Sequence, residues 1–284
     1  MNKNGSFNIN GVRIHVEDDD FVEPWRDHET VLMQHGFCRN AEFWSTWVPY
    51  FGRNYRIVRP DLRGHGFSSD PGPTYKLTLD DLIADLIGVL DTLKIDSVHY
   101  IGESFGSVIG VSAAARHPDR FKSLTLQHTP TTIGGEAGRA QAIGRTSWQD
   151  AMRELGVEKW WLQARGATGD LTGDPRADEY TAREAARTPL HIAIGVADAA
   201  RNFDLSDSLR KLRAPTQFHT SGRYSYTTTA EQQRNLLELV PHAELVVHEE
   251  ARGRTFFPFF DVDLVAPRVL KFVRRVDAAK GQAS

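Results

Sequence analysis

The sequence predicts an α/β fold, with a mostly parallel sheet covered by helices on both faces and a helical lid over this core. Three observations predict it. Short apolar runs that read as strands alternate with helical stretches along the first 130 residues. The alternation breaks between about residues 130 and 204, where the chain is polar, helical and poor in strands. It then resumes after Pro215. The predicted organisation is therefore a core of residues 1–130 and 205–276, a lid of residues 131–204 and a disordered tail of residues 277–284.

The predicted elements follow in a regular order. The opening strand, at residues 12–16, can be one arm of a hairpin. The other predicted strands cover residues 30–34, 55–59, the run before Ser104, 121–127, 216–219 and 243–248. Helices are predicted at about residues 77–93, after Ser104, and at 147–162, 178–187, 230–239 and 264–273. The helix at 77–93 has an apolar face of Leu79, Leu82, Ile83, Leu86, Ile87 and Leu90.

Composition excludes several classes of protein. The 284 residues suffice for one large domain or two small ones, and 40% hydrophobic with 25% charged residues is normal for a globular protein. A net charge of −3 argues against nucleic-acid binding, which needs clustered positive charge. No apolar run approaches the ~20 residues of a membrane span, so no membrane partner is expected.

The remaining expectations concern compartment and cofactors. Cys38 is the only cysteine, so no intrachain disulfide can form, and residues 1–6 lack the apolar core of a signal peptide. A cytoplasmic protein is therefore expected. No metal-ligand spacing and no glycine-rich phosphate loop stands out, so no cofactor or metal is expected. The expected partner is a small-molecule substrate or ligand; a homo-oligomer is left open.

The most informative motif is the G-x-S-x-G sequence Gly102–Gly106. An apolar strand enters it and a helix rich in small residues leaves it. This context is typical of a nucleophile elbow, in which a serine sits on a sharp strand-to-helix turn. Ser104 is therefore the candidate nucleophile.

Four segments together resemble the α/β-hydrolase superfamily over roughly the whole chain: His35-Gly36-Phe37 after the third strand, the D-x-R-G-x-G-x-S loop at 61–68, the elbow, and Pro215-Thr216 before a strand. Within the superfamily, the lid and the segment Thr129–Gly134 look most like those of 3-oxoadipate enol-lactonases and related small-acid hydrolases. The resemblance implies an α/β-hydrolase fold with an oxyanion hole formed by the backbone N–H groups of Phe37 and Phe105.

The chain departs from this family at two triad positions. The family's acid follows the Pro-Thr strand in a G-x-x-D setting, but residues 220–226 contain no Asp or Glu, and Tyr224 is the closest match. The family's histidine precedes a Phe-Pro pair, and here Phe256 stands in its place. Phenylalanine cannot accept the proton of a serine hydroxyl. Ordinary triad catalysis is therefore not expected.

His128 is the best candidate for a replacement base. It directly follows the strand at 121–127, so it should lie at the carboxyl edge of the sheet near Ser104. The alternative is that His128 only hydrogen-bonds the loop of residues 129–132. Glu103, beside the serine, is expected to point away from the pocket.

Substrate contacts are expected from His35, Arg39, Trp160, Tyr224, Arg254 and Phe256. Arginines on loops and lid segments favour an anionic small molecule, and they are Arg39, Arg145, Arg165, Arg223 and Arg254. Trp160, like its neighbours Trp148 and Trp161, either lines an apolar pocket or forms the packing core of the lid.

Two functions remain open from the sequence. The first is an enzyme that polarises a carbonyl through Ser104 and the oxyanion amides, with His128 as proton shuttle, in a hydrolytic or lyase reaction. The second is a catalytically dead hydrolase that binds a small molecule, with Phe256 and Tyr224 as pocket walls. The sequence does not distinguish a natural chain from an engineered variant, and fold alone does not identify a substrate.

Overall fold

The computed structural model describes residues 4–132, 135–200, 204–222, 229–251 and 257–281. Within this part of the chain, eight strands form one sheet in the order β1-β2-β4-β3-β5-β6-β7-β8. The strands are β1 (Gly5–Ile9), β2 (Val12–Asp19), β3 (Glu29–Gln34), β4 (Tyr55–Pro60), β5 (Val98–Glu103), β6 (Phe121–Gln127), β7 (Thr216–Ser221) and β8 (Glu244–His248). β1 and β2 are antiparallel to their neighbours, and the strands from β4 to β8 are parallel. The predicted α/β fold with a mostly parallel sheet is confirmed.

The helices connect these strands on both faces of the sheet. They are α1 (Val48–Phe51), α2 (Leu79–Thr92), α3 (Phe105–Arg116), α4 (Gly135–Ala142), α5 (Trp148–Thr168), α6 (Pro175–Ala186), α7 (Leu190–Ala200), α8 (Ser206–Arg210), α9 (Ala230–Leu239), α10 (Phe257–Phe260) and α11 (Val262–Gly281). None of the helices within the described residues is both long and apolar enough to cross a membrane.

The opening strand is one arm of a hairpin, as the sequence allowed. Only Asn10 and Gly11 separate β1 from β2, and both have positive φ values, 50° and 78°. Two successive residues with positive φ form the type I′ turn that suits a two-residue hairpin, and Asn-Gly is its preferred sequence.

The start of α2 is set by a local signal. Thr78 caps the helix by accepting a hydrogen bond from the Asp81 N–H, and the Asp81 side chain accepts one from the Thr78 N–H. The helix therefore starts two residues later than the apolar periodicity predicted. Its buried face includes Leu82, Ile83 and Leu86, as expected.

Side chains of the central strands point alternately into two hydrophobic cores. Leu32 in β3 belongs to the core that contains α2, α3 and most of the insert helices. Its neighbours Val31 and Met33 point the other way, into a core with Trp44 and α11. A strand that is apolar on both faces is buried on both faces, which explains its continuous hydrophobic run.

Helices α4 to α7, residues 135–200, lie between β6 and β7 and are called the helical insert below. Thr132 and Asp204 form an antiparallel bridge at the base of the insert, and the Leu205 N–H donates to the Thr131 carbonyl at 3.1 Å. The sequence predicted two insert helices; α4 and α7 are additional. α7 contains many small residues, so its apolar periodicity is weak in the sequence.

The end of the chain differs from the expected boundary. Residues 277–281, expected in a disordered tail, continue α11. Asp277 accepts a hydrogen bond from the Tyr55 hydroxyl at 2.8 Å, and its other oxygen lies 2.8 Å from His99 Nε2. These long-range bonds attach the last turns of α11 to the sheet, and no local sequence signal predicts them.

Candidate active site

Ser104 occupies a sharp turn between β5 and α3. Its φ and ψ are 51° and −116°, a positive φ that is rare for a residue with a side chain. The Ser104 N–H donates to the Gln127 carbonyl of the neighbouring strand at 2.9 Å. A Cβ on Gly106 would overlap the Gln34 carbonyl, and one on Gly102 would come within 2.8 Å of the Gly106 carbonyl oxygen. Both glycines of the motif are therefore required by close backbone approach.

The loop after β3 lies directly against this turn. It contains Phe37, which is nearly buried, and Cys38, which has a φ of 53°. His35 shapes the loop: its Nδ1 lies 2.8 Å from the Gly36 carbonyl, and its Nε2 accepts the Leu62 N–H at 3.0 Å. Burial lowers the pKa of His35 well below its ordinary value, so the ring is neutral. Because both ring nitrogens bond the backbone, His35 holds the loop; its predicted substrate contact stays a prediction.

An ion pair connects this loop to the serine turn. Arg39 Nη1 lies 2.9 Å from Glu103 Oε2, and neither side chain is more than 1% exposed. Burial raises the pKa of Glu103 to about 7, although the nearby charges of Arg39 and Arg165 favour the carboxylate. Burial likewise lowers the pKa of Arg39 to about 10. Glu103 is thus a buried partner of Arg39 beside the candidate nucleophile.

A cavity of about 40 Å³ adjoins Ser104. Its walls come from the β3 loop, from the start of α3 and from the insert, and they include Phe37, Arg39, Ser104, Phe105, Pro130, Gln141, Trp148, Arg165, Val196 and Ala200. Four of the predicted site residues therefore meet at one cavity, and they are Ser104, Phe37, Phe105 and Arg39. Arg165 joins them from α5.

His128 lies beside this turn at the end of β6. The register pairs Glu103 with Gln127, the residues just before Ser104 and His128, but His128 is not among the residues that line the cavity beside Ser104. His128 is 2% exposed, has a φ of 51° and donates its backbone N–H to the His219 carbonyl at 2.8 Å. Burial lowers the pKa of His128 to about 4, and the carboxylate of Asp170 opposes this shift. The imidazole is therefore neutral at pH 7.

The tryptophans of the insert pack around the cavity. Trp160 is fully buried and donates its indole N–H to the Gln141 carbonyl at 3.0 Å. Its ring centroid lies 5.9 Å from that of Phe37 and 6.2 Å from that of Trp148. Trp148 reaches the cavity wall, whereas Trp160 packs against Phe37 and Trp148; its predicted substrate contact stays a prediction.

Two acidic residues, Asp170 and Glu103, have roles that only the tertiary structure reveals. Asp170, just after α5, is 4% exposed; its Oδ2 accepts the Thr168 hydroxyl at 2.8 Å and lies 3.5 Å from Arg165 Nη1. Glu103 was expected to point away from the pocket, and it does not line the cavity. Its carboxylate lies beside Gly36 of the loop after β3 and pairs with Arg39, which does line the cavity. No local motif marks either residue, because their partners are distant in sequence.

Comparisons with known proteins agree with this architecture. The model of the α/β hydrolase fold family matches residues 29–162. A 2-hydroxy-6-oxo-2,4-heptadienoate hydrolase from Pseudomonas putida is 32% identical over 251 residues, covering 74% of this chain and 87% of the relative. The chain belongs to the α/β-hydrolase family. A 3-oxoadipate enol-lactonase from Acinetobacter baylyi is 25% identical over 225 residues, covering 78% of this chain and 81% of that enzyme.

Solved structures of α/β-hydrolases match almost the whole chain. The enol-lactonase from Burkholderia xenovorans superposes with a TM-score of 0.75 at 22% identity, covering 95% of this chain and all of that one. An esterase from Exiguobacterium antarcticum gives a TM-score of 0.81 at 19% identity, covering 96% of this chain. At these identities the similarity establishes the fold alone.

The remaining residues of this α/β-hydrolase that were predicted to contact a substrate lie outside the described part of the chain, and they are Tyr224, Arg254 and Phe256. The same holds for Arg223. Arg145, by contrast, forms an ion pair with Glu154 at 2.6 Å on a largely exposed surface. Among the residues that the structure describes, no group of three or more His, Cys, Asp or Glu side chains could hold a metal ion.

Proposed function

We propose that this α/β-hydrolase acts on the carbonyl of a small, anionic substrate, with Ser104 on a nucleophile elbow and the amides of Phe37 and Phe105 as the oxyanion hole. The observation that carries the proposal is the convergence of Ser104, Phe37 and Phe105 on one cavity, with the serine held at a φ of 51°. A strained backbone at a serine is retained where the surrounding structure enforces it, which is common at active sites. Two amides aimed at a developing oxyanion stabilise it by several kcal/mol.

In this proposal His128 accepts the proton of Ser104 or of a bound water. A neutral imidazole can accept a proton, and burial keeps the imidazole of His128 neutral well below pH 7. Of the charges near His128, that of Asp170 favours the imidazolium formed during the reaction, whereas those of Arg39 and Arg165 oppose it. The reaction is then a hydrolysis of an ester, lactone or carbon–carbon bond, or a lyase step that uses only the oxyanion hole.

The helical insert acts as a lid in this scheme. Gln141, Trp148 and Arg165 of the insert close the cavity above the core residues. A cavity of about 40 Å³ holds few water molecules, whereas small-molecule sites usually span ~300–1,000 Å³. In this scheme the insert moves away from Ser104 when a substrate enters.

The second candidate, a ligand-binding protein on an inactive hydrolase, is favoured by the sequence at the two triad positions, where Tyr224 and Phe256 replace the acid and the histidine. The two candidates differ in the reactivity of Ser104. An enzyme needs either a reactive Ser104 or a cavity that accelerates the reaction without it, whereas a binding protein needs neither.

A fluorophosphonate probe followed by intact-mass measurement tests the proposal. We expect a single adduct that is absent in Ser104→Ala, together with turnover of an activated ester. Absence of both labelling and turnover, beside a labelled control hydrolase, would favour the binding protein. Phe256→His combined with Tyr224→Asp should then raise esterase activity, because it restores the family's acid and base.

A further inference from the structure

Two arginines from different parts of the molecule meet at the same cavity. Arg39 belongs to the loop after β3 in the core, and Arg165 belongs to α5 in the helical insert. Their side chains are 1% and 14% exposed. Two guanidinium groups at one small cavity repel each other. Burial is the main cause of the lowered pKa of Arg39, Glu103 opposes the shift, and the charge of Arg165 adds to it.

One aromatic ring holds both guanidinium groups. The central carbon of Arg165 lies 4.4 Å from the ring centroid of Trp161, and that of Arg39 lies 5.8 Å from the same centroid. Such cation–π contacts orient a planar guanidinium and stabilise its charge. Trp161 is 1% exposed, so this ring is a rigid support.

The carboxylates that bind these arginines do not belong to the cavity wall. Glu103 contacts Arg39 from behind the β3 loop, and Asp170 contacts Arg165 from the end of α5. A guanidinium has five N–H donors in a planar fork, so it can bind a carboxylate in the cavity as well as the one behind it. Both arginines therefore line the cavity beside Ser104, whereas the carboxylates paired with them do not.

We propose that Arg39 and Arg165 form a subsite for a carboxylate of the substrate, which joins the core to the helical insert when it binds. This inference rests on the proposed function and narrows its substrate to a carbonyl compound that carries a carboxylate a few bonds from the reacting carbon. Because one arginine comes from each part of the molecule, the same carboxylate draws the insert onto the core. Substrate charge and closure of the cavity are thereby coupled.

A matched pair of small molecules tests the subsite without any need for catalysis. Succinate and succinamide have similar size and shape, but only succinate is anionic. We expect succinate at millimolar concentration to raise the Tm and to change the tryptophan fluorescence, since Trp161 contacts both guanidinium groups. Succinamide should do neither. Equal effects of the two compounds, or no effect of succinate, glutarate, benzoate and acetate alike, would overturn the proposal.

Arginine variants locate the binding. Arg165→Met should weaken succinate binding at least tenfold, and Arg39→Lys, which keeps the charge but loses the planar fork, should weaken it severalfold. Arg153→Met is the control, because Arg153 is on the same helix and forms an exposed pair with Asp150. Arg165→Met with unchanged succinate affinity would contradict the subsite.

The test separates failure of the subsite from failure of the proposed function. If succinate binds through Arg165 but no ester is hydrolysed and no probe labels Ser104, then the subsite is retained and the catalytic proposal fails. If esters are hydrolysed and mono-p-nitrophenyl succinate is no better a substrate than p-nitrophenyl acetate, the catalytic proposal stands and the subsite fails.

Discussion

Arg39 and Glu103 form a buried ion pair of 2.9 Å that joins the loop after β3 to the residue before Ser104. The pair therefore fixes the distance between the proposed oxyanion amide of Phe37 and the serine. It also makes the stability of this region depend on pH.

Glu103→Gln should alter how stability changes with pH. The ordinary pKa of 4.5 rises to about 7 in the folded chain, mainly by burial. A carboxyl whose folded pKa is raised stabilises the fold while protonated, and this contribution is lost as pH rises from about 4.5 through 7. The loss amounts to about 3 kcal/mol for a shift of this size. Glu103→Gln lacks this loss, so its unfolding free energy should improve relative to the parent chain across that range.

Chemical denaturation at several pH values measures this difference. Other buried groups titrate in the same range, among them Asp61 with a pKa raised to about 6, so the difference between parent and variant is the relevant quantity. Glu154→Gln is the control, because Glu154 forms an exposed pair and its pKa is lowered. A constant difference between Glu103→Gln and the parent from pH 4.5 to 8 would contradict the assignment.

Gly36→Ala should disrupt the same pair. A Cβ at this position would lie 2.7 Å from Glu103 Oε2 and 2.8 Å from Arg39 Nη1. We expect a destabilisation of ~1–3 kcal/mol from overpacking and a loss of any esterase activity. Gly138→Ala in α4 is the matched control, because nothing lies within 4 Å of its Cβ, and it should stabilise the chain by ~0.5–1 kcal/mol. Denaturation of both variants checks this, and a neutral Gly36→Ala would show that the loop can move away from the turn.

His128→Ala should reduce kcat/KM for an activated ester by ~10²–10⁴-fold if His128 is the base. The fold should be retained by circular dichroism. In the parent chain kcat/KM should rise with pH through about 4 and be constant above it, since only the neutral ring accepts a proton. His117→Ala, at an exposed helix end, is the control. Unchanged turnover in His128→Ala would assign the residue to the loop of residues 129–132 instead.

Asp277→Ala should destabilise the chain by ~1–3 kcal/mol, because the bonds to Tyr55 and His99 are lost. Thermal unfolding measures this change. Asp207→Asn, which alters an exposed pair with Arg210, should leave stability unchanged. If Asp277→Ala had no effect, the end of the chain would behave as the disordered tail that the sequence suggested.

The sequence by itself determined the fold class, the strand order along the chain and the position of Ser104, because these depend on local signals. Alternating apolar runs predict strands, and closely spaced glycines at 102 and 106 predict a turn where backbone segments touch. Asn10-Gly11 likewise determines its hairpin from two adjacent residues. Such signals act over a few residues and are therefore visible in a linear chain.

Only the tertiary structure decided how the charges are arranged around the serine. Arg165 lies 126 residues beyond Arg39, yet folding brings both arginines to one cavity, and it pairs Arg39 with Glu103, 64 residues away. The charge state of Glu103 depends on burial and on partners that no local pattern encodes. The same holds for Asp277, whose partners lie in β4 and β5. Long-range desolvation and pairing, rather than residue type, decide what these side chains do.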